Sequence, residues 1–390
     1  MPTLAFKNLM SRVVRLRWTM CVLSLACVLP VCAEPGVTDT AIAVGQSAVF
    51  SGPVAATGSN YRRGIELYFE QANKAGGVHG RKLQLTALDD AYDPKRTVEN
   101  TRLLIEQNKV FALIGYVATA NLMAAMPIAE EAKVPMFAPL VGTTSIRLKH
   151  NHYLFHVRAS YKAELARITQ QLAVVGNDKV AVVYQDSVFG KSNLDTLLEL
   201  IKAEKLQVVK TLPMAITAAS ATDIAAQLKQ ASPNVIIMIM AGTMSEVLIR
   251  DVRGAGLGAP LYTISVGLAD AKASATRLNG ALRGVITASI VPSPTLERYG
   301  IVKEYRKALG ASAAAGDNYT VLEGYIAAKV FVEGLRRAGR ALTRENFIAA
   351  LEGVGNLDLG GVRVEYGPGN HNGSSFVELE MYTAEGNLIR

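Results

Sequence analysis

Hydroxyl-bearing loops are the part of this sequence whose residue types and spacing could do chemistry. Three loops share small and hydroxyl residues: SGPVAATGSN at 51–60, YVATAN at 116–121 and LVGTTS at 140–145. Each follows an apolar run typical of a strand and precedes a segment with helical periodicity. A helix start exposes unpaired backbone N–H groups and a partial positive charge, to which threonine hydroxyls add further donors. We therefore expect Thr119, Thr143 and Thr144 to help bind a carboxylate, with simple helix capping as the alternative.

Other kinds of chemistry have little support in the sequence. His150, His152 and His156 lie close together, but no carboxylate lies at metal-ligand spacing, so we predict no metal site. Asp89 and Asp90 are adjacent strand residues that point to opposite faces, which favours capping or loop bonding over a catalytic pair. The chain has no GxSxG, GxGxxG or GxxxxGK[ST] motif. We therefore expect no catalytic residue and no cofactor.

The composition and the first 33 residues indicate an exported globular protein. Half of the 390 residues are hydrophobic and 19% are charged, which suits two domains with their own cores. Residues 1–33 combine a basic start, an apolar run of about 14 residues and a VCA cleavage pattern, which predicts a cleaved signal peptide rather than an anchor. This segment holds all three cysteines, and without its four basic residues 37 basic stand against 33 acidic residues. We therefore expect no disulfide, no cysteine metal site and no nucleic-acid partner.

Apolar strand-like runs alternate with helical segments along the rest of the chain. From about residue 40 the runs show little polar alternation, which is typical of a parallel sheet covered by helices on both faces. Asp93 and Pro94 mark one helix start. The alternation begins again near Lys179, and residues 360–386 predict antiparallel strands joined by a glycine–asparagine turn. The sequence thus predicts an α/β protein with two doubly wound parallel-sheet lobes.

Several motifs make the chain resemble a known family. They are SGP at 51–53, NxxGGVxG at 73–80, DDxxDP at 89–94 and LIGYVATAN at 113–121. With them, the first half strongly resembles the leucine/isoleucine/valine-binding proteins, the periplasmic receptors of branched-chain-type ABC importers. The resemblance implies the type I periplasmic binding protein fold, in which three crossover strands join two lobes that close on a ligand by hinge motion. It also implies a periplasmic location, no enzymatic activity and ABC permease subunits as partners; we expect a monomer.

The resemblance also implies where the lobes begin and end. Crossovers placed near Arg158, Val291 and Thr343 give an N-terminal lobe of residues 34–158 plus 291–343. The C-terminal lobe is then 159–290 plus 344–390, and the ligand cleft lies between the two lobes.

The family's ligand-binding residues map onto five loops of this sequence. The carboxylate is expected at the backbone of Ala118, the hydroxyl of Thr119 and the turn formed by residues 142–144. Phe189 matches the aromatic residue that closes over the ligand, and Tyr116 and Met240 would add hydrophobic walls. Thr243 or Met244 stands where many amino-acid receptors have a tyrosine. The predicted ligand-binding set is Tyr116, Ala118, Thr119, Gly142, Thr143, Thr144, Phe189, Thr243 and Ser265.

One departure from the family concerns the ligand's ammonium group. Relatives that bind α-amino acids commonly place a glutamate where this chain has Ser265 and Val266, and a buried ammonium without an anion is costly. Either Asp186 or Glu323 reaches the ligand, or the ligand has no ammonium. The resemblance favours a branched-chain or other hydrophobic amino acid. The alternatives are an aromatic or aliphatic carboxylate or an amide without an α-ammonium, and a ligand sensor for a signalling partner.

Overall fold

The structure, a computed structural model, describes residues 34–310 and 318–389. The predicted signal peptide, residues 1–33, lies outside the described residues. Within those two described ranges, no helix is both long enough and apolar enough to span a membrane.

Five parallel strands form the sheet of the first lobe. They are β1 (Ala41–Ala48), β2 (Lys82–Asp89), β3 (Ala112–Ile114), β4 (Met136–Phe137) and β5 (Leu154–Phe155). Their order in the sheet is β2–β1–β3–β4–β5. β3 and β4 are completely buried, because helices cover both faces of a parallel sheet.

Four helices follow these strands in turn. They are α1 (Ala55–Lys74), α2 (Pro94–Arg102, continued by the π-helical turn Leu103–Gln107), α3 (Thr119–Glu131) and α4 (Thr144–Arg147). The predicted start of α2 is confirmed, since the Asp93 side chain accepts a hydrogen bond from the backbone N–H of Lys95 at 2.8 Å and Pro94 is the first helical residue.

The second lobe has a seven-stranded sheet. Its strands are β6 (Lys179–Gln185), β7 (Gln207–Met214), β8 (Val235–Ile239), β9 (Leu261–Ile264), β10 (Val285–Ser289), and, from the end of the chain, β14 (Glu378–Tyr382) and β15 (Leu388–Ile389). The order is β15–β14–β10–β9–β8–β6–β7, antiparallel only at β14 and β15. The helices of this lobe are α5 (Tyr161–Val175), α6 (Val188–Ala203), α7 (Thr222–Ala231), α8 (Thr243–Gly254) and α9 (Ala271–Leu278). The predicted α/β class with two parallel-sheet lobes is confirmed.

Three later helices return to the first lobe. They are α10 (Gly300–Leu309), α11 (Tyr319–Ala338) and α12 (Arg344–Glu352). α11 packs along α1, with the rings of Tyr68 and Tyr325 edge-to-face at 5.0 Å. α12 places Phe347 against Phe111 at 5.7 Å and against Phe331 at 5.1 Å, inside the same core.

The predicted third boundary, near Thr343, is therefore corrected. Besides the packing of Phe347, the Arg344 guanidinium donates to the carbonyl of Val110 at 2.8 Å. The antiparallel sheet β11 (Gly355–Asp358), β12 (Arg363–Gly367) and β13 (Asn370–Gly373) also contacts β5 of the first lobe. Residues 344–373 thus pack with the first lobe, and the chain passes to the second lobe only at 374–377. The predicted antiparallel strands with a glycine–asparagine turn are confirmed in β12 and β13.

Candidate functional site

A cleft between the lobes lies beyond the carboxyl ends of their strands. The loops after β1, β2, β3, β4, β6, β8 and β9 all reach it, which is where open parallel sheets bind ligands. The space in the cleft that protein atoms leave free, including its open side, is about 300 Å³. The lining residues are Val54, Thr57, Tyr92, Val117, Ala118, Thr119, Leu140, Tyr161, Phe189, Ala241 and Val266.

The two lobes touch each other across this cleft. The backbone N–H of Thr243 donates to the carbonyl of Pro53 at 3.2 Å, and the Gln185 amide donates to the hydroxyl of Tyr92 at 3.2 Å. Gly242 has a positive φ of 70°, and a Cβ at this position would lie 2.5 Å from the Pro53 oxygen. Glycine is therefore what lets α8 begin this close to the first lobe.

Hydroxyl groups supply the polar part of the cleft. The Oγ1 atoms of Thr119 and Thr143 are 2.7 Å apart and both side chains are buried. One hydroxyl must donate to the other, so the pair keeps one hydrogen that can be donated to a ligand. The buried Thr57 hydroxyl also lines the cleft and has no hydrogen-bond partner within the described part of the chain. Buried polar groups are normally paired, so this hydroxyl is available to a ligand.

Four of the helices that begin at the cleft have no side-chain cap. α1, α3, α4 and α8 begin here, and none of their N-cap side chains accepts a hydrogen bond from the helix. α5 and α6 also begin at the cleft, but they are capped by Ser160 and Ser187. The uncapped N–H groups and the helix dipoles give this end of the cleft a positive potential.

Ala118, the N-cap residue of α3, has an uncommon backbone conformation. Its φ of 75° and ψ of 137° are strained for a residue with a Cβ. Such strain, typically about 1–3 kcal/mol, persists only where the surroundings enforce it and is concentrated at functional sites. Ala118 lines the cleft beside Thr119, so the strained residue sits where the helix end meets the ligand space.

A buried ionic cluster lies next to the cleft. The Arg158 guanidinium is 3.2 Å from Glu164 and 3.7 Å from Glu323, and it lies over the ring of Tyr161 at 4.9 Å. Glu164 also accepts from the backbone N–H of Ser265 at 2.7 Å and from its hydroxyl at 3.1 Å. Burial raises the pKa of Glu164 to about 7, although Arg158 and Ser265 act to lower it. Burial also raises the pKa of Glu323.

The predicted site residues take different places in this arrangement. Ala118, Thr119 and Phe189 line the cleft, and the Phe189 ring lies edge-to-face with Tyr161 at 5.4 Å. Thr143 stands behind Thr119. Three other predicted residues lie on the rim or beside it. The carbonyl of Gly142 accepts from the backbone N–H of Tyr161 at 2.8 Å, and Thr243 is at the contact between the lobes. The buried hydroxyl of Thr144 has no partner among the described residues.

Three predicted residues are not brought into the cleft. The Tyr116 side chain is buried in the core of the first lobe, where its hydroxyl is 2.9 Å from that of Thr101. Ser265 is occupied by Glu164 and by the Arg158 guanidinium, which donates to its hydroxyl. The predicted wall residue Met240 is also buried, in the core of the second lobe, and Ala241 takes its place in the lining.

Neither acid suggested for an ammonium group lines the cleft. Asp186 is half exposed and pairs with Lys191 at 2.7 Å. Glu323 pairs with Arg158. Among the described lining residues there is no aspartate or glutamate.

Sequence reasoning missed several lining residues. Tyr161 follows the first predicted crossover and was not among the expected site residues, although an aromatic residue just after the serine cap of a helix was a usable signal. Tyr92 is at one of the two variable positions of the DDxxDP motif, so the motif does not single it out. Leu140, Val266 and Val54 are ordinary apolar loop residues, and no local pattern separates them from core residues.

Comparison with known proteins identifies the kind of molecule that has this cleft. A family model described as periplasmic binding protein matches residues 41–385. A Leu/Ile/Val-binding protein homolog 7 of Brucella suis is 26% identical over 324 residues, covering 78% of this chain and 79% of that protein. A substrate-binding periplasmic protein from Ralstonia solanacearum is 29% identical with a TM-score of 0.82, covering 89% of this chain and 99% of that one. A solute-binding protein of an ABC transporter from R. palustris, solved in complex with benzoate, shares the fold at 21% identity and a TM-score of 0.81, covering 90% of this chain and 95% of that one.

Proposed function

The chain belongs to the periplasmic binding protein family, in its leucine/isoleucine/valine-binding type, and from this premise we propose that it is the receptor of an ABC importer for a small hydrophobic carboxylate without an α-ammonium group. The family binds solutes and is not enzymatic. The receptor would hold its solute between the lobes and release it unchanged to the permease subunits.

One observation carries this proposal: the lining residues that the structure describes offer hydrogen-bond donors for an anion and no negative charge for a cation. The Thr119–Thr143 pair, the free Thr57 hydroxyl and the uncapped start of α3 all favour a negative head group. No carboxylate of the described lining faces it, and a buried ammonium without an anion would be strongly disfavoured. Glu164 and Glu323, two buried acids beside this lining, are both engaged by Arg158.

The rest of the cleft suits an apolar tail. Val54, Leu140, Val266 and the rings of Tyr161 and Phe189 surround the space, and this apolar lining favours an aliphatic or aromatic tail. Burying such a tail contributes roughly 25 cal/mol for each Å² of apolar surface removed from water. The benzoate complex of the R. palustris protein is an instance of this fold enclosing an acid that has no ammonium group.

A hydrophobic amino acid is the second candidate. It is favoured by the name of the Brucella relative, a Leu/Ile/Val-binding protein homolog. To bind an ammonium group here, Glu164 or Glu323 would have to turn away from Arg158 and leave that buried guanidinium with one carboxylate.

Matched ligands distinguish the two candidates. We would titrate purified protein calorimetrically with 4-methylpentanoate, leucine and 4-methylpentanamide, which share one carbon skeleton and differ in the ammonium and the carboxylate. Benzoate and benzamide form a second matched pair. The proposal expects the acids to bind, the amides to bind at least tenfold more weakly because the charged hydrogen bonds are lost, and leucine to bind more weakly than 4-methylpentanoate.

The opposite order would overturn the proposal. If leucine bound more tightly than 4-methylpentanoate, the receptor would be assigned to amino acids. Equal binding of acid and amide would refute the proposed anion site. Uptake of the labelled acid by cells with and without the gene then tests the transport role. Uptake that is unchanged without the gene, with an intact binding isotherm, would favour the sensor role.

A further inference from the structure

Four of the five histidines of the chain lie together on the first lobe. His150 and His152 are in the loop between α4 and β5, His156 follows β5, and His371 is on β13. The sequence offered no carboxylate at ligand spacing for them. The fold supplies two from α12: Glu345 in its first turn and Glu352 at its end.

Three of these residues converge on one point. His150, His152 and Glu352 each offer one ligand atom, and the three atoms lie within 4.8 Å of one another. Ligand atoms bound at 2.0–2.2 Å in a tetrahedral zinc site are about 3.4 Å apart. His150 and His152 are exposed, so small side-chain rotations can make up the difference without disturbing the core. His156 is buried and does not belong to this group.

Neighbouring groups already hold two of the three ligands in place. The Nε2 atom of His371 is 3.1 Å from one oxygen of Glu352, and the His371 ring is itself fixed by stacking on Phe155 at 3.6 Å. The Nε2 atom of His152 is 3.0 Å from Glu345. A carboxylate on one imidazole nitrogen, with the other nitrogen on the metal, is the usual support of a metal-bound histidine.

We propose that His150, His152 and Glu352 bind one divalent transition-metal ion, with Zn²⁺ as the best match. Two imidazoles and one carboxylate suit Zn²⁺, whereas Mg²⁺ and Ca²⁺ prefer oxygen ligands alone. Three protein ligands leave the fourth position to water. Lys149 is adjacent, but it is exposed and water screens its charge.

The proposed site should act on stability and not on solute binding. All three ligands belong to segments that pack in the first lobe, so the metal does not require the lobes to close. It would tie the loop before β5 to the end of α12, two segments about 200 positions apart in the sequence, and a ligand that binds only the folded state raises its stability. Metal binding should therefore be the same with and without solute, which keeps this test separate from that of the proposed function.

The experiment uses tag-free protein that has been treated with a chelator and then dialysed. ZnCl₂ is titrated in competition with a chromophoric zinc indicator, with MgCl₂ as the comparison ion, and melting temperatures are recorded with and without zinc. The test variants are the double substitution His150→Ala with His152→Ala, and Glu352→Gln. His79→Ala is the matched control, because His79 is the exposed histidine outside the group.

The proposal expects one zinc ion per chain, with affinity reduced at least a hundredfold in the double variant and at least tenfold in Glu352→Gln. The His79→Ala protein should bind zinc like the wild type, and zinc should raise the melting temperature only where it binds. Circular dichroism checks that each variant is folded. Absence of zinc binding by the wild type, or undiminished binding by the folded double variant, would overturn the assignment.

Discussion

The hydroxyl pair of Thr119 and Thr143 gives the sharpest prediction about the solute site. In the complex we expect a relay in which Thr143 donates to the Oγ1 atom of Thr119, 2.7 Å away, and Thr119 donates to the carboxylate. Only Thr119 of the two lines the cleft. Replacing each residue by valine, singly and together, removes the hydroxyls and keeps the branched shape.

The relay makes the two substitutions non-additive. A hydrogen bond to a charged group contributes about 1.5–3 kcal/mol, so Thr119→Val should weaken binding about 10- to 150-fold. Thr143→Val leaves the Thr119 hydroxyl able to donate and should cost less than about 1 kcal/mol. The double variant should resemble Thr119→Val, because only one of the two hydroxyl hydrogens was available to the solute.

Calorimetric titration of all four proteins with the acid that binds best measures this coupling as a double-mutant cycle. Thr276→Val is the control, since its exposed hydroxyl donates to the Lys272 carbonyl within α9 of the second lobe. Costs that add up in the double variant would mean that both hydroxyls reach the solute directly. An unchanged affinity in Thr119→Val would place the head group elsewhere.

Three further predictions concern the pair of lobes and the buried acid. Gly242→Ala should weaken solute binding at least tenfold, because the added methyl would lie 2.5 Å from the Pro53 oxygen at a φ of 70°. Small-angle scattering should then show lobes that stay apart with solute present, and a compact complex would contradict this. Phe189→Ala should weaken binding by about 1–3 kcal/mol by uncovering the apolar tail, whereas an unchanged isotherm would remove Phe189 from the site. The folded-state pKa of Glu164, about 7, is above its ordinary value of 4.5, so its contribution to stability is present below pH 4.5 and lost as the pH rises through 7. Thermal melts should therefore show a smaller loss of stability between pH 4.5 and 7 in Glu164→Gln than in the wild type. Parallel pH profiles of the two proteins would refute the raised pKa of Glu164.

Local features of this fold were predictable from the sequence, and long-range ones were not. The Asp93 cap, the buried run of β8 and the turn between β12 and β13 depend on neighbouring residues alone. The lobe to which α12 belongs was assigned wrongly. The local sequence of α12 does not show that Phe347 packs against the rings of Phe111 and Phe331.

The same distinction holds for the candidate site. The hydroxyl loops could be found because strand–loop–helix patterns show which residues stand at the carboxyl ends of strands. Ser265 was expected to face the solute, but its partner Glu164 comes from a helix 101 positions earlier. Tyr116 was expected in the cleft, and its side chain instead points to Thr101, which no local periodicity indicates. Glu352, the carboxylate of the proposed metal site, is about 200 positions from His150 and His152 in the sequence.

A crystal structure of the complex with the acid that binds best tests the central claim most directly. We expect the solute between the lobes with a carboxylate oxygen about 2.5–3.0 Å from the Thr119 Oγ1 atom and its apolar part against Tyr161 and Phe189. A head group directed at Glu164, or a solute bound away from the 116–121 and 140–145 loops, would contradict the account.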